Sequence, residues 1–79
     1  MKLELFKMES CPYCRKVLRC LEESGRTDVA LLDIVESGDN RERLLREGGK
    51  VQVPCLFIDG NPLYESGDIV SWLEQNPQY

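Results

Sequence analysis

The stretch that decides the fold is Leu3-Glu4-Leu5-Phe6-Lys7-Met8-Glu9-Ser10-Cys11-Pro12-Tyr13-Cys14-Arg15-Lys16-Val17-Leu18. Residues 2–8 alternate at first and predict a strand. Glu9-Ser10 breaks it. Cys11-Pro12 then starts a helix, with Pro12 at the first helical position, where its missing N–H costs nothing. Cys14, Val17, Leu18 and Leu21 recur at helical spacing and define an apolar face, while Arg15, Lys16 and Arg19 point elsewhere. A C-x-x-C pair therefore sits at a strand-to-helix junction.

Working outward, Gly25 predicts the end of this helix near Ser24. Val29 to Val35 is apolar almost throughout, interrupted by Asp33, and predicts a strand covered on both faces. Gly38-Asp39-Asn40 reads as a break and an N-cap region. Leu44 and Leu45, among charges, give a short amphipathic helix that stops at Gly48-Gly49. Pro54 opens a strand from Cys55 to Asp59, Gly60-Asn61 marks a hairpin turn, and Pro62-Leu63-Tyr64-Glu65 returns. Ser66 is the expected N-cap of a last helix whose buried face is Ile69, Val70 and Leu73, ending before Pro77. The order is βαβαββα, an α/β chain. Its first two strands should be parallel through a right-handed crossover, and its last two antiparallel.

Length and charge narrow the function. The chain has 79 residues, enough for one domain spanning 1–79, and shows no repeat or linker. Its net charge of −4 argues against nucleic acid as a partner. All Lys and Arg lie at or before Lys50, and only acids follow. Lys7, Arg15, Arg41 and Lys50 are candidates for a local positive field. No apolar run approaches a membrane span, and no apolar segment follows Met1-Lys2-Leu3-Glu4 as in a secretory signal. The expectation is a cytoplasmic protein with no membrane partner. Its four cysteines then serve redox chemistry, metal binding or core packing.

A C-x-x-C inside a βαβ pattern reads as a thioredoxin-like redox motif. Free N–H groups and the macrodipole at a helix N-terminus stabilise negative charge. The thiolate is the reactive form of cysteine, so Cys11 is expected to ionise below the usual value of roughly 8.5. Cys14, one turn on and facing the core, should be more buried and less acidic. Cys11 thus attacks, and Cys14 resolves the mixed disulfide. The competing reading is a zinc site completed by Cys20 and Cys55. The Pro-Tyr helix start and the lack of histidine disfavour it, so no metal is expected.

The chain resembles the glutaredoxin family in Cys11-Pro12-Tyr13-Cys14, in Val53-Pro54 before a strand, and in Ser66-Gly67-Asp68 opening the last helix. Glu65-Ser66 is also similar to the N-terminal domain of glutathione transferases. The resemblance implies a thioredoxin-like fold, with a four-stranded mixed sheet flanked by three helices. It implies a cis bond before Pro54 and a Val53 backbone that pairs with the cysteinyl part of glutathione. Ser66, Gly67 and Asp68 would hold its γ-glutamyl end, Tyr13 would flank the reactive sulfur and touch glutathione, and Arg41 would meet the glycyl carboxylate. Three features depart from the family: Met8 stands where a Lys is usual, Gln52 where a Thr is common, and Cys55 directly follows Pro54. Cys20 and Cys55 read as small core residues, with Cys55 near enough to the site to tune substrate choice or form a secondary disulfide. The implied activity is a monomeric oxidoreductase of cell redox homeostasis, with glutathione as co-substrate and glutathionylated or disulfide-bonded proteins as partners. The alternatives are a redoxin reduced by a flavoprotein or another thiol, and a glutathione-ligated iron–sulfur cluster protein.

Overall fold

Strand β1 (Leu3–Lys7) is the centre of the structure, a computed structural model that describes residues 1–78. It is followed by α1 (Pro12–Ser24), β2 (Val29–Asp33), α2 (Gly38–Gly48), β3 (Cys55–Ile58), β4 (Asn61–Leu63) and α3 (Ser66–Gln75). The sheet order is β2-β1-β3-β4. β1 runs parallel to β2 and antiparallel to β3, and β3 and β4 form a hairpin. This is the three-helix, four-stranded mixed sheet that the sequence predicts.

Two cores lie on the two faces of the sheet. Leu3, Leu5 and Leu56 pack with Val17 and Leu21 of α1 and with Ile69 and Leu73 of α3. On the other face, Phe6, Cys55 and Phe57 pack with Leu44 of α2. All five β1 residues are buried, so its alternation separates two covered faces rather than core from solvent. Glu4 is tolerated there because Arg43 of α2 forks onto its carboxylate at 2.7 and 2.8 Å.

The structure corrects several local expectations. β2 is an edge strand, not one covered on both faces: Ala30 and Leu31 are exposed. The N-cap of α2 is Ser37, whose hydroxyl accepts the Asn40 N–H at 3.4 Å, so Gly38-Asp39-Asn40 form the first helical turn. Only Leu44 of the leucine pair is buried, because Leu45 faces outward. The hairpin turn is Asp59-Gly60, not Gly60-Asn61. Both turn residues have positive φ (50° and 85°), and Ile58 pairs with Asn61. Such a two-residue turn matches the twist of its strands. The return strand stops at Leu63. Ser66 does not cap α3. The capping position falls to Glu65, at φ 72°, and no side chain closes it. No helix among the described residues is long and apolar enough to cross a membrane.

Candidate active site

The chain leaves β1 at Lys7, turns through Met8–Ser10 and enters α1 at Cys11. The Cys11 N–H donates to the Met8 carbonyl at 3.3 Å, which closes the turn. Cys11 is itself the N-cap. Its backbone is extended (φ −90°, ψ 117°), and its Sγ accepts the Cys14 N–H at 3.4 Å. A sulfur thus takes the place that a hydroxyl or carboxylate oxygen usually fills at a helix start. Pro12 follows at the first helical position, as expected.

The same sulfur donates to the Val53 carbonyl at 3.8 Å, across from α1. Val53 precedes Pro54 through a cis peptide bond, as the resemblance implies. Cys11 is 8% exposed and Cys14 is fully buried. Burial pushes the Cys14 thiol up to about 11, with the neighbouring Cys11 thiol acting in the same direction. The Met8 peptide N–H and the Lys7 charge pull it back. The two sulfurs therefore sit in unequal surroundings: one caps the helix beside a loop, and the other lies inside.

Beside them opens a groove of about 390 Å³ lined by Tyr13, Gln52, Val53, Pro54, Glu65 and Ser66. Tyr13 is two-thirds exposed at its rim. The Gln52 amide lies 3.5 Å from a Glu65 carboxylate oxygen. Glu65 holds a positive φ that is uncommon for a side chain of its size, a kind of strain that concentrates at ligand clamps. Of the residues singled out in the sequence, Cys11, Cys14, Tyr13, Val53, Pro54 and Ser66 come together at this end of the sheet. Gly67 and Asp68 lie in the first turn of α3, and Arg41 is exposed in the first turn of α2. None of these three lines the groove. Gln52 and Glu65 do line it, although neither carries a role in the sequence reading. The hints were their positions beside Val53-Pro54 and Ser66, the departure of Gln52 from the family's common Thr, and the likeness of Glu65-Ser66 to glutathione transferases.

The remaining cysteines do not join the site. The Cys55 thiol is buried on the α2 face, next to the Tyr64 hydroxyl, and burial pushes it up to about 11. Cys20 is half-buried on α1 against the other core. The described residues contain no group of three or more metal-ligating side chains. The cations proposed for a local field are mostly engaged. Lys7 is paired with Glu9 and Asp33, Arg15 donates to the Glu9 carbonyl, and Lys50 lies 4.6 Å from the Tyr64 ring centroid.

Comparison with known proteins bears on the family and the fold. Residues 5–78 match the family model described as the glutathione S-transferase N-terminal domain. A probable glutaredoxin of Synechocystis sp. is 31% identical over 71 residues, covering 86% of this chain and 77% of the relative. Glutaredoxin 3 of Escherichia coli K12 is 28% identical over 67 residues, covering 85% and 80%. Among solved structures, the thioredoxin-like protein BC3987 superposes with a TM-score of 0.78 at 24% identity, covering 94% and 97%.

Proposed function

Because this chain belongs to the glutaredoxin family of the thioredoxin-like fold, we propose that it reduces glutathione mixed disulfides and protein disulfides through Cys11 and Cys14. Its relatives support thiol–disulfide oxidoreductase chemistry in general. The observation that carries the finer reading is the Cys11 sulfur at the α1 N-cap, one turn from a fully buried Cys14.

In this reading the Cys11 thiolate attacks a glutathionylated substrate. A Cys11–glutathione disulfide forms and the substrate thiolate leaves. A second glutathione then attacks that disulfide, which regenerates Cys11 and releases oxidised glutathione. With a protein disulfide, Cys14 displaces the substrate and closes the Cys11–Cys14 bond. The Val53 backbone borders the groove and would pair with the cysteinyl part of glutathione. Ser66, Gly67 and Asp68 would receive the γ-glutamyl end at the start of α3, with Tyr13 over the sulfur and Arg41 reaching the glycyl carboxylate. Glutathione is the co-substrate, no metal takes part, and the protein works as a cytoplasmic monomer.

The test is glutathione-coupled reduction of a small glutathione mixed disulfide, run beside reduction of a protein disulfide. Cys11→Ser should abolish both. Cys14→Ser should keep the first and lose the second. If Cys14→Ser lost both, this division of labour would be wrong. If the unsubstituted chain turned over neither substrate, the whole reading would fall.

A further inference from the structure

Strand alternation puts Leu3, Leu5 and Lys7 on the α1 face of β1. The buried positions of α1 are Cys14, Val17 and Leu21. α1 begins just beyond the end of β1 and runs back along it, so the two rows match in reverse order. Leu3, Leu5, Val17 and Leu21 share one core. At the end of the rows, a lysine takes the place of a third apolar residue, beside the turn that carries Cys14.

That lysine is unusual. Lys is almost never buried unless paired, and Lys7 is only 8% exposed. Its ammonium contacts Glu9 at 2.7 Å and Asp33 at 3.3 Å. Asp33 stands opposite Lys7 in the β1–β2 register. Its other carboxylate oxygen accepts the Val35 and Glu36 N–H groups at 2.8 and 3.0 Å. The clamp fixes the cation firmly. Yet a buried ion pair is rarely more stabilising than an apolar residue of similar size, so stability alone does not account for it.

We propose that Lys7, clamped by Asp33 and Glu9, is a positioning charge for Cys14: it stabilises the thiolate that Cys14 becomes when it forms or leaves the Cys11–Cys14 disulfide. The inference rests on the redox reading of that pair. In the closing step the Cys14 thiol gives up its proton, and its sulfur attacks Cys11 Sγ. The bond from Cys11 to the substrate sulfur breaks, and the departing substrate thiolate takes up the proton. The mixed disulfide is reduced at the substrate sulfur while the Cys11–Cys14 pair is oxidised. Burial opposes ionisation of Cys14, and the Lys7 charge acts the other way. The remaining groups facing Cys14 are the Cys11 thiol and the Met8 peptide N–H. Neither carries a fixed positive charge.

The experiment starts from the chain loaded with glutathione on Cys11. Closure by Cys14 is followed by rapid acid quench and mass spectrometry across pH. Lys7→Met should slow closure at neutral pH about tenfold, the order expected of one nearby charge, and move its pH profile to the alkaline side. Lys7→Arg should recover most of the rate. Cys11 turnover in a Cys14→Ser background should fall clearly less than closure does on adding Lys7→Met, since Lys7 stands in the β1 row opposite the buried Cys14 position. Lys7→Met leaves Asp33 buried without its cation, so Lys7→Met/Asp33→Asn is measured too. The new amide keeps an oxygen for the Val35 and Glu36 N–H groups, and slow closure should persist. Closure at the unsubstituted rate in the double variant, or an equal loss of Cys11 turnover in the Cys14→Ser background, overturns the proposal. Absence of any Cys11 turnover in the unsubstituted chain would overturn the redox reading along with it.

Discussion

At Gly48 a single hydrogen atom is all the structure leaves room for. A Cβ there would lie 2.6 Å from the Tyr64 hydroxyl, 3.2 Å from Leu44 and 3.4 Å from Phe57. The hydroxyl cannot easily retreat, because it sits 3.1 Å from the Gly48 carbonyl and 2.9 Å from the Lys50 carbonyl. Helix propensity alone says that Gly→Ala should stabilise a helix by about 1 kcal/mol. Gly48→Ala is expected to destabilise this protein instead, by about 1–3 kcal/mol, and Gly48→Ala/Tyr64→Phe should recover part of the loss. Urea denaturation of the two variants measures both effects, and a more stable Gly48→Ala would show that Tyr64 gives way. The sequence marks Gly48-Gly49 as a helix stop. It cannot show that a tyrosine sixteen residues away sets the need for glycine at the first of them, because that contact is made by the return of the chain after β4. The same holds for Glu65, whose positive φ arises where β4 is handed over to α3, with no glycine to announce it.

Leu44 and Arg43 anchor helix α2 to the middle of the sheet, and Asn40 ties its first turn to the Asp33 carbonyl at the end of β2. Leu44 enters the core. Arg43 forks onto the buried Glu4 carboxylate, and its guanidinium carbon lies 5.6 Å from the ring centroids of both Phe6 and Phe57. Arg43→Met should therefore cost about 2–4 kcal/mol, most of it from the Glu4 charge left buried without a partner. Glu4→Gln/Arg43→Met should lose less than Arg43→Met alone, a sign of coupling that a double-mutant cycle in urea reads directly. Equal losses would mean that Arg43 acts through its packing and not through its charge. The order and type of every element were legible in the hydrophobic periodicity and the Gly and Pro punctuation. The position of each strand in the sheet was not. A run such as Val29–Leu32 looks the same in a central strand and at an edge, and only the pairing of β1 with β3 leaves β2 outside. Ser66 shows the same limit: its residue type predicts a cap, but the chain enters α3 one residue earlier.

Over the whole molecule, titration gives the folded state a stability window with two identifiable limbs. Glu4 is held below the usual carboxylate range by Arg43, Asp28 by Arg26, and Asp33 chiefly by the Glu36 and Val35 N–H groups. Between their folded values and the unfolded ones near 4, the unfolded chain binds more protons. Their contribution is complete above about pH 4–5 and is lost as pH falls through the folded values. The reduced thiols Cys14 and Cys55 behave oppositely. Both are pushed up to about 11 by burial, so their contribution is complete below the unfolded value of about 8.5 and fades as pH rises toward the folded one. With no histidine in the chain, thermal unfolding of the reduced protein should be nearly flat between about pH 5 and 8. It should fall on both sides, and Cys55→Ala should soften the alkaline fall. A steep change near pH 6.5 would refute this account. The candidate site was legible to the extent that its residues are local in sequence: Cys11 to Cys14, Val53-Pro54 and Ser66. Lys7 was legible only as a candidate for a local positive field; its place beside Cys14 was not, because that depends on strand alternation, helix direction and the Asp33 clamp together.

The two-sided core has one more consequence. With Cys14 buried on α1 over one face of the sheet and Cys55 on the other face, toward α2, the sheet works as an electrical partition between two wires in one cable. Cys20 lies six residues from Cys14 on the same helix, roughly 9 Å along the axis at 1.5 Å per residue, beyond the span a disulfide bridges. A native fold holding four free cysteines thus offers Cys14 a single mate, Cys11, for a disulfide within the chain.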